Sequence, residues 1–103
     1  MEIDRSNCGI ERATGILGDQ WAFLILREFF VEGPRKFSDL QDILNISPNT
    51  LSARLKKLEE AGVLTREIYS THPPRAAYRL TEKGAALSPV VLALKSWGEA
   101  WTT

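Results

Sequence analysis

The chain has 103 residues, 44% hydrophobic, 25% charged and 9% aromatic, which suits one small globular domain burying roughly 60–65% of its unfolded surface. Thirteen Lys/Arg balance thirteen Asp/Glu, so total charge alone argues against a polyanionic partner. One cysteine and one histidine exclude an internal disulfide and a zinc site of the usual ligands, and no apolar run is long enough to span a bilayer.

The opening "MEIDRSNCGIER" is acidic and polar where a signal peptide is basic and then apolar. A single cytoplasmic domain over residues 1–103 is expected, with no metal, cofactor or membrane. The charge is unevenly spread. Residues 1–46 carry 5 Lys/Arg against 8 Asp/Glu, residues 47–83 carry 7 against 4, and residues 84–103 carry one of each. A basic surface centred on the second segment would attract phosphates whatever the total.

Ile10 to Leu17 reads as a short helix ended near Gly18. In "DQWAFLILREFFVEG", Asp19 can cap a helix that is apolar nearly all round from Trp21 to Val31, predicting a buried central helix that stops at Gly33-Pro34. In "FSDLQDILN", Ser38 and Gln41 have the spacing of a capping box. Leu40, Ile43 and Leu44 give that helix an inward face, and Asn45-Ile46 makes a tight break.

Ser47-Pro48 is a strong start signal: a hydroxyl for the first-turn amides and a proline whose missing N–H costs nothing at the first helical position. Leu51, Leu55 and Leu58 then recur at helical spacing and face inward. That turns Asn49, Thr50, Ala53, Lys56 and Lys57 outward, with Ser52 and Arg54 on the flanks, until Gly62 supplies a left-handed stop. Two short helices joined by a tight turn, the second bearing small polar residues and then cations, have the layout of a helix-turn-helix. Such a helix fits the major groove, its short polar side chains near base edges and its cations near phosphates. By itself the same pattern also describes an amphipathic helix with a solvated basic face.

The segment that follows adds weight to the first reading. "VLTREIYS" is rich in β-formers, and "AAYRLT" alternates Ala76, Tyr78 and Leu80 with Ala77, Arg79 and Thr81. Between them "THPPRA" exposes His72 and Arg75 at a basic tip, so the two strands predict a hairpin wing able to lie along the backbone or the minor groove.

The blocks "NCGIERATGILGDQW", "LILREFFVEGPRKFSDLQ", "ISPNTLSARLKKLEEAGVLTR", "PPRAAYRLTEKG" and "LKSWGEAW" together resemble the HxlR-type winged helix-turn-helix transcriptional regulators of bacteria across nearly the whole chain. Gly9 departs from the family's frequent proline after the cysteine. The resemblance implies a mainly α (α+β) fold, a winged helix-turn-helix with a two-stranded β-hairpin wing over Tyr69 to Tyr78. It also implies N- and C-terminal dimerisation helices and a homodimer whose helix after Ser47 reads DNA.

The closing "TEKGAALSPVVLALKSWGEAW" points to a dimer independently. Thr81 can cap a helix, Ser88-Pro89 marks a kink or restart, and Leu87, Val91, Leu94, Trp97 and Trp101 line one side of a terminal helix. An apolar face this large asks for a second copy, the alternative being that the tryptophans pack on their own core. Two-fold pairing would space the reading helices roughly 34 Å apart, on a palindromic or pseudo-palindromic operator.

Cys8 lies ahead of a helix start and near Arg5 and Arg12, surroundings that in general favour the reactive thiolate, which makes it a candidate redox sensor beside the reading of an inert small hydrophobe. The leading function is therefore a DNA-binding transcriptional regulator. Its contacts to double-stranded DNA would be Asn49, Thr50, Ser52, Ala53, Arg54, Lys56 and Lys57 at the groove, with Ser38, His72, Arg75 and Lys36 at the backbone. The alternative is a winged-helix protein-interaction module without nucleic acid. A thiol enzyme using Cys8 and His72 is disfavoured, because the two lie at opposite ends of the predicted fold with no third group to orient them.

Overall fold

A computed structural model describes residues 1–103, the side chain of Pro74 excepted. Gly9–Leu17 forms α1 and Gln20–Glu32 forms α2. The Asp19 carboxylate accepts from the Ala22 amide at 3.0 Å, fixing the start of α2, and Gly33 ends it with φ +91°, a conformation open to a residue without Cβ. Ala22, Ile25, Leu26 and Phe29 are buried from this helix. The expectation of a helix buried all round needs correction: Phe23, Leu24 and Phe30 are only half-buried and Val31 is exposed, because one side of α2 borders an open groove.

Arg35–Lys36 forms a two-residue strand, β1, which sequence reading did not anticipate. Phe37–Leu44 forms α3. It starts earlier than a cap at Ser38 requires, because the Asp39 carboxylate accepts from the Lys36 amide at 3.0 Å and leaves Ser38 inside the first turn. Asn45, with φ +50°, turns the chain into Pro48–Glu60, α4. Leu40 of α3 and Leu51, Leu55 and Leu58 of α4 close over Ile25 and Leu26, forming the centre of the core.

The C-terminus of α4 is held at several points. Gly62, φ +76°, donates to the Glu59 carbonyl at 3.0 Å while the Val63 amide reaches Leu58 at 2.9 Å, the paired bonds of a Schellman stop. Leu64–Thr71 is β2 and Pro74–Leu80 is β3, antiparallel, with Leu64 opposite Leu80 and Thr71 opposite Pro74. β1 pairs with the free side of β3, giving the sheet order β1-β3-β2, so the hairpin belongs to a three-stranded sheet. Glu82–Ala85 is α5, capped by Thr81, whose hydroxyl oxygen accepts from Gly84 at 3.1 Å. Ser88–Trp101 is α6, a restart rather than a kink. It rests on α2, but none of its residues is buried. Among the described residues no helix is long and apolar enough to cross a membrane, and no three His, Cys, Asp or Glu cluster as metal ligands.

Candidate nucleic-acid interface

The site is built on α4. Ser47 Oγ accepts from the Thr50 amide at 3.3 Å and donates to Thr50 Oγ1 at 2.9 Å, so the first turn is closed by side chains of its own. With Leu51, Leu55 and Leu58 almost wholly buried, geometry turns Asn49, Ser52, Ala53, Lys56 and Lys57 outward, and all five are exposed. Thr50 is half-buried beside the cap. The first turn carries no acidic residue, so nothing anionic stands where a phosphate or base edge would approach.

The cations differ in how free they are. Lys57 and Arg75, with Lys36 on β1, have no carboxylate within 4.0 Å among the described residues. Lys56 lies 4.0 Å from Glu60 on the next turn, an exposed and therefore weak pair. Arg54 is different: its guanidinium donates through Nε to Asp19, the cap of α2. Partial burial pushes the Asp19 carboxyl up. The Ala22 amide, the Arg54 hydrogen bond and the charges of Arg54 and Lys57 outweigh that and hold it below the usual carboxylate range. Arg54 thus fixes α4 to the central helix as well as flanking its outward face.

Ser38 is exposed in the first turn of α3. His72 is exposed at the turn between β2 and β3, while Arg75 stands within β3 opposite Ser70, exposed on the strand rather than in the loop. Toward the tip end of β2, Lys36 Nζ sits 5.1 Å from the centre of the Tyr69 ring, a cation over an aromatic face. The sequence points to Lys36 as a backbone contact and to Tyr69 only as the start of the wing. No local pattern links residues this far apart.

The five apolar positions of the terminal helix divide between two directions. Leu87 is half-buried against the core and Val91 half-buried beside α2, whereas Leu94 is exposed. Trp97 and Trp101 are 63% and 75% exposed and, with Val90, make an uncovered apolar stripe. Cys8 precedes α1, half-buried. Its neighbour Arg12 donates to the main-chain and side-chain oxygens of Asn7.

A profile of the HxlR-like helix-turn-helix family matches residues 16–103. The chain belongs to that family. It is 38% identical over 95 residues to an HTH-type transcriptional regulator of Synechocystis sp., covering 91% of this chain and 70% of that protein. To the Bacillus subtilis HTH-type regulator YdeP it is 34% identical, covering 95% and 77%. Among solved structures it is similar to the redox regulator HypR in its oxidised form, with a TM-score of 0.84 and 32% identity over 93% of this chain and 99% of that one. It is also similar to the reduced transcriptional regulator YodB of B. subtilis, with a TM-score of 0.77, 30% identity and coverage of 98% and 95%. This HxlR-family chain is a transcriptional regulator of winged-helix type, and its family and relatives are regulators, not enzymes.

Proposed function

We propose that this HxlR-family protein binds duplex DNA as a homodimer on a palindromic or pseudo-palindromic operator. The outward face of α4 enters the major groove, with Asn49, Ser52 and Ala53 near base edges and Lys56 and Lys57 toward phosphates. Ser38, Lys36, His72 and Arg75 lie along the flanking backbone. The observation that carries this reading is the contrast within α4 between a leucine face closed to solvent and an outward face that is exposed, small near its start and free of acidic groups in its first turn.

The pairing surface is the Val90, Trp97 and Trp101 stripe with Leu94, since aromatic groups this exposed on a small protein are characteristic of an interface. Cys8 is the thiol through which oxidation would act, by sulfenic acid, mixed disulfide or a bridge to the second copy. The similarity to HypR supports that assignment. Selection of bound sequences from a random duplex pool, with the protein reduced and then oxidised, tests the whole reading. Enrichment of a two-fold-related site is expected, with altered binding after oxidation. Failure to enrich any sequence contradicts DNA reading, and unchanged binding after complete oxidation removes Cys8 alone.

A further inference from the structure

A second hollow lies on the side of α4's C-terminus, between α1 and α5, with a volume of about 400 Å³. Its walls are apolar: Ala13, Ile16 and Leu17 from α1, Val63 after α4, and Leu87 before α6. Two cations line it as well, Arg12 and Lys83. Neither has a carboxylate partner among the described residues. Arg12 uses one guanidinium nitrogen on Asn7, and Lys83 uses one N–H on the Ala61 carbonyl at 2.7 Å. The remaining N–H donors of both side chains are available to an anion.

We propose that this hollow binds an apolar monocarboxylate, an aromatic or medium-chain acid whose body fills the Ile16, Leu17, Val63 and Leu87 walls while its carboxylate accepts from Arg12 and Lys83. The volume falls within the range of small-molecule sites, and an apolar wall with a few convergent polar groups is their usual construction. Charge-assisted bonds from two cations select the acid over a neutral molecule of the same shape. The site also has a built-in route outward. Lys83 donates to the carbonyl of Ala61, the C-cap of α4, so an acid competes with that carbonyl for its ammonium. Only the consequence for DNA rests on the function proposed above; occupancy of the hollow does not.

The test uses the full chain without DNA, titrated calorimetrically with naphthalene-2-carboxylate and with the neutral naphthalene-2-methanol. The acid is expected to bind about tenfold tighter than the alcohol or better, the ratio for a hydrogen bond to a charged group. Lys83→Met should erase that preference while leaving the alcohol's affinity unchanged, and Arg12→Met should reduce it in the same direction, a second variant should Lys83→Met fail to fold. Ala13→Trp, which fills the hollow, should abolish binding of both, and the acid should move the Gly62 amide resonance in wild type but not in Lys83→Met. Equal affinity for acid and alcohol, no binding of either, or full acid affinity in both cation variants would overturn the proposal.

Discussion

Arg54 on α4 donates to Asp19, the residue that caps the central helix α2, across 35 positions of sequence. One carboxylate therefore both starts a helix and orients another. The Asp19→Asn variant separates the two roles, since asparagine caps nearly as well but lacks the charge, whereas Asp19→Ala loses both. Asp19→Ala should cost about 1 kcal/mol for the cap, beyond any effect of the charge, in urea unfolding. Equal stability of wild type and Asp19→Ala would mean that the cap contributes nothing.

The same carboxylate sets a pH dependence. Its folded pKa is lowered, so its contribution to stability is complete above the unfolded value of about 3.9 and disappears as pH falls through the lowered folded value. Unfolding curves followed from neutral pH down through the carboxylate range should show wild type losing its margin over Asp19→Asn. A margin constant across that range would show that the ionised form has no special partner.

Gly84 of α5 packs against the backbone of Val63, in the segment that leads from α4 into β2. A Cβ there would stand 2.2 Å from the Val63 carbonyl oxygen, a backbone atom that the Thr81 amide also engages at 3.1 Å. Gly84→Ala should therefore destabilise by about 1–3 kcal/mol, the range for overpacking, although alanine is the better helix former. A neutral or stabilised variant would mean that the clasp shifts freely.

How much of this was legible in the sequence depends on the range of the cause. Leu51, Leu55 and Leu58 specify α4 through local periodicity, and Ser47-Pro48 and Gly62 bound it with chemistry that acts within a turn. Family resemblance, carried by ordered blocks of residues, pointed to the family that residues 16–103 match. Three features were not legible for want of a local signal. β1 is only two residues long and exists because Arg35 and Lys36 meet Tyr78 and Ala77 far along the chain. The start of α3 moved because Asp39, not Ser38, completes the cap. The open side of α2 could not be told from its buried side, since residues on both are apolar and the packing of α3 and α4 decides which is covered, while α6 borders the open groove.

Glu28 is the one charged residue in the buried set among the described residues, 6% exposed. It pairs with Arg27 at 2.7 Å and lies 3.8 Å from Arg35, whose side chain is itself largely buried and also reaches Glu32 at 2.9 Å. This joins α2 to β1 and so to the sheet that carries the wing. Glu28→Ala leaves the largely buried Arg35 with only the exposed Glu32 carboxylate and should cost more than Glu32→Ala, which leaves Arg35 its buried partner. Thermal unfolding of the two variants side by side decides it: similar losses would show that burial adds nothing to the pair.

Trp97 and Trp101 stay exposed on a helix with no buried residue. If they form the proposed pairing surface, replacing both with glutamate should give a monomer in sedimentation where wild type is a dimer, with the helical signal intact, because neither side chain contributes to the core. A wild type that sediments as a monomer at all concentrations would remove the pairing surface from the account.

The outward face of α4 is proposed to receive a polyanionic duplex, and the salt dependence of affinity reports that contact. Each phosphate neutralised contributes about 0.9 to the slope of log affinity against log salt. Wild type should therefore show a steep fall, Lys57→Ala should reduce the slope by about 1, and Lys95→Ala, on the distant α6 and paired with Glu99, should leave it unchanged. An affinity insensitive to salt, with Lys57→Ala identical to wild type, would mean that no duplex lies against this face.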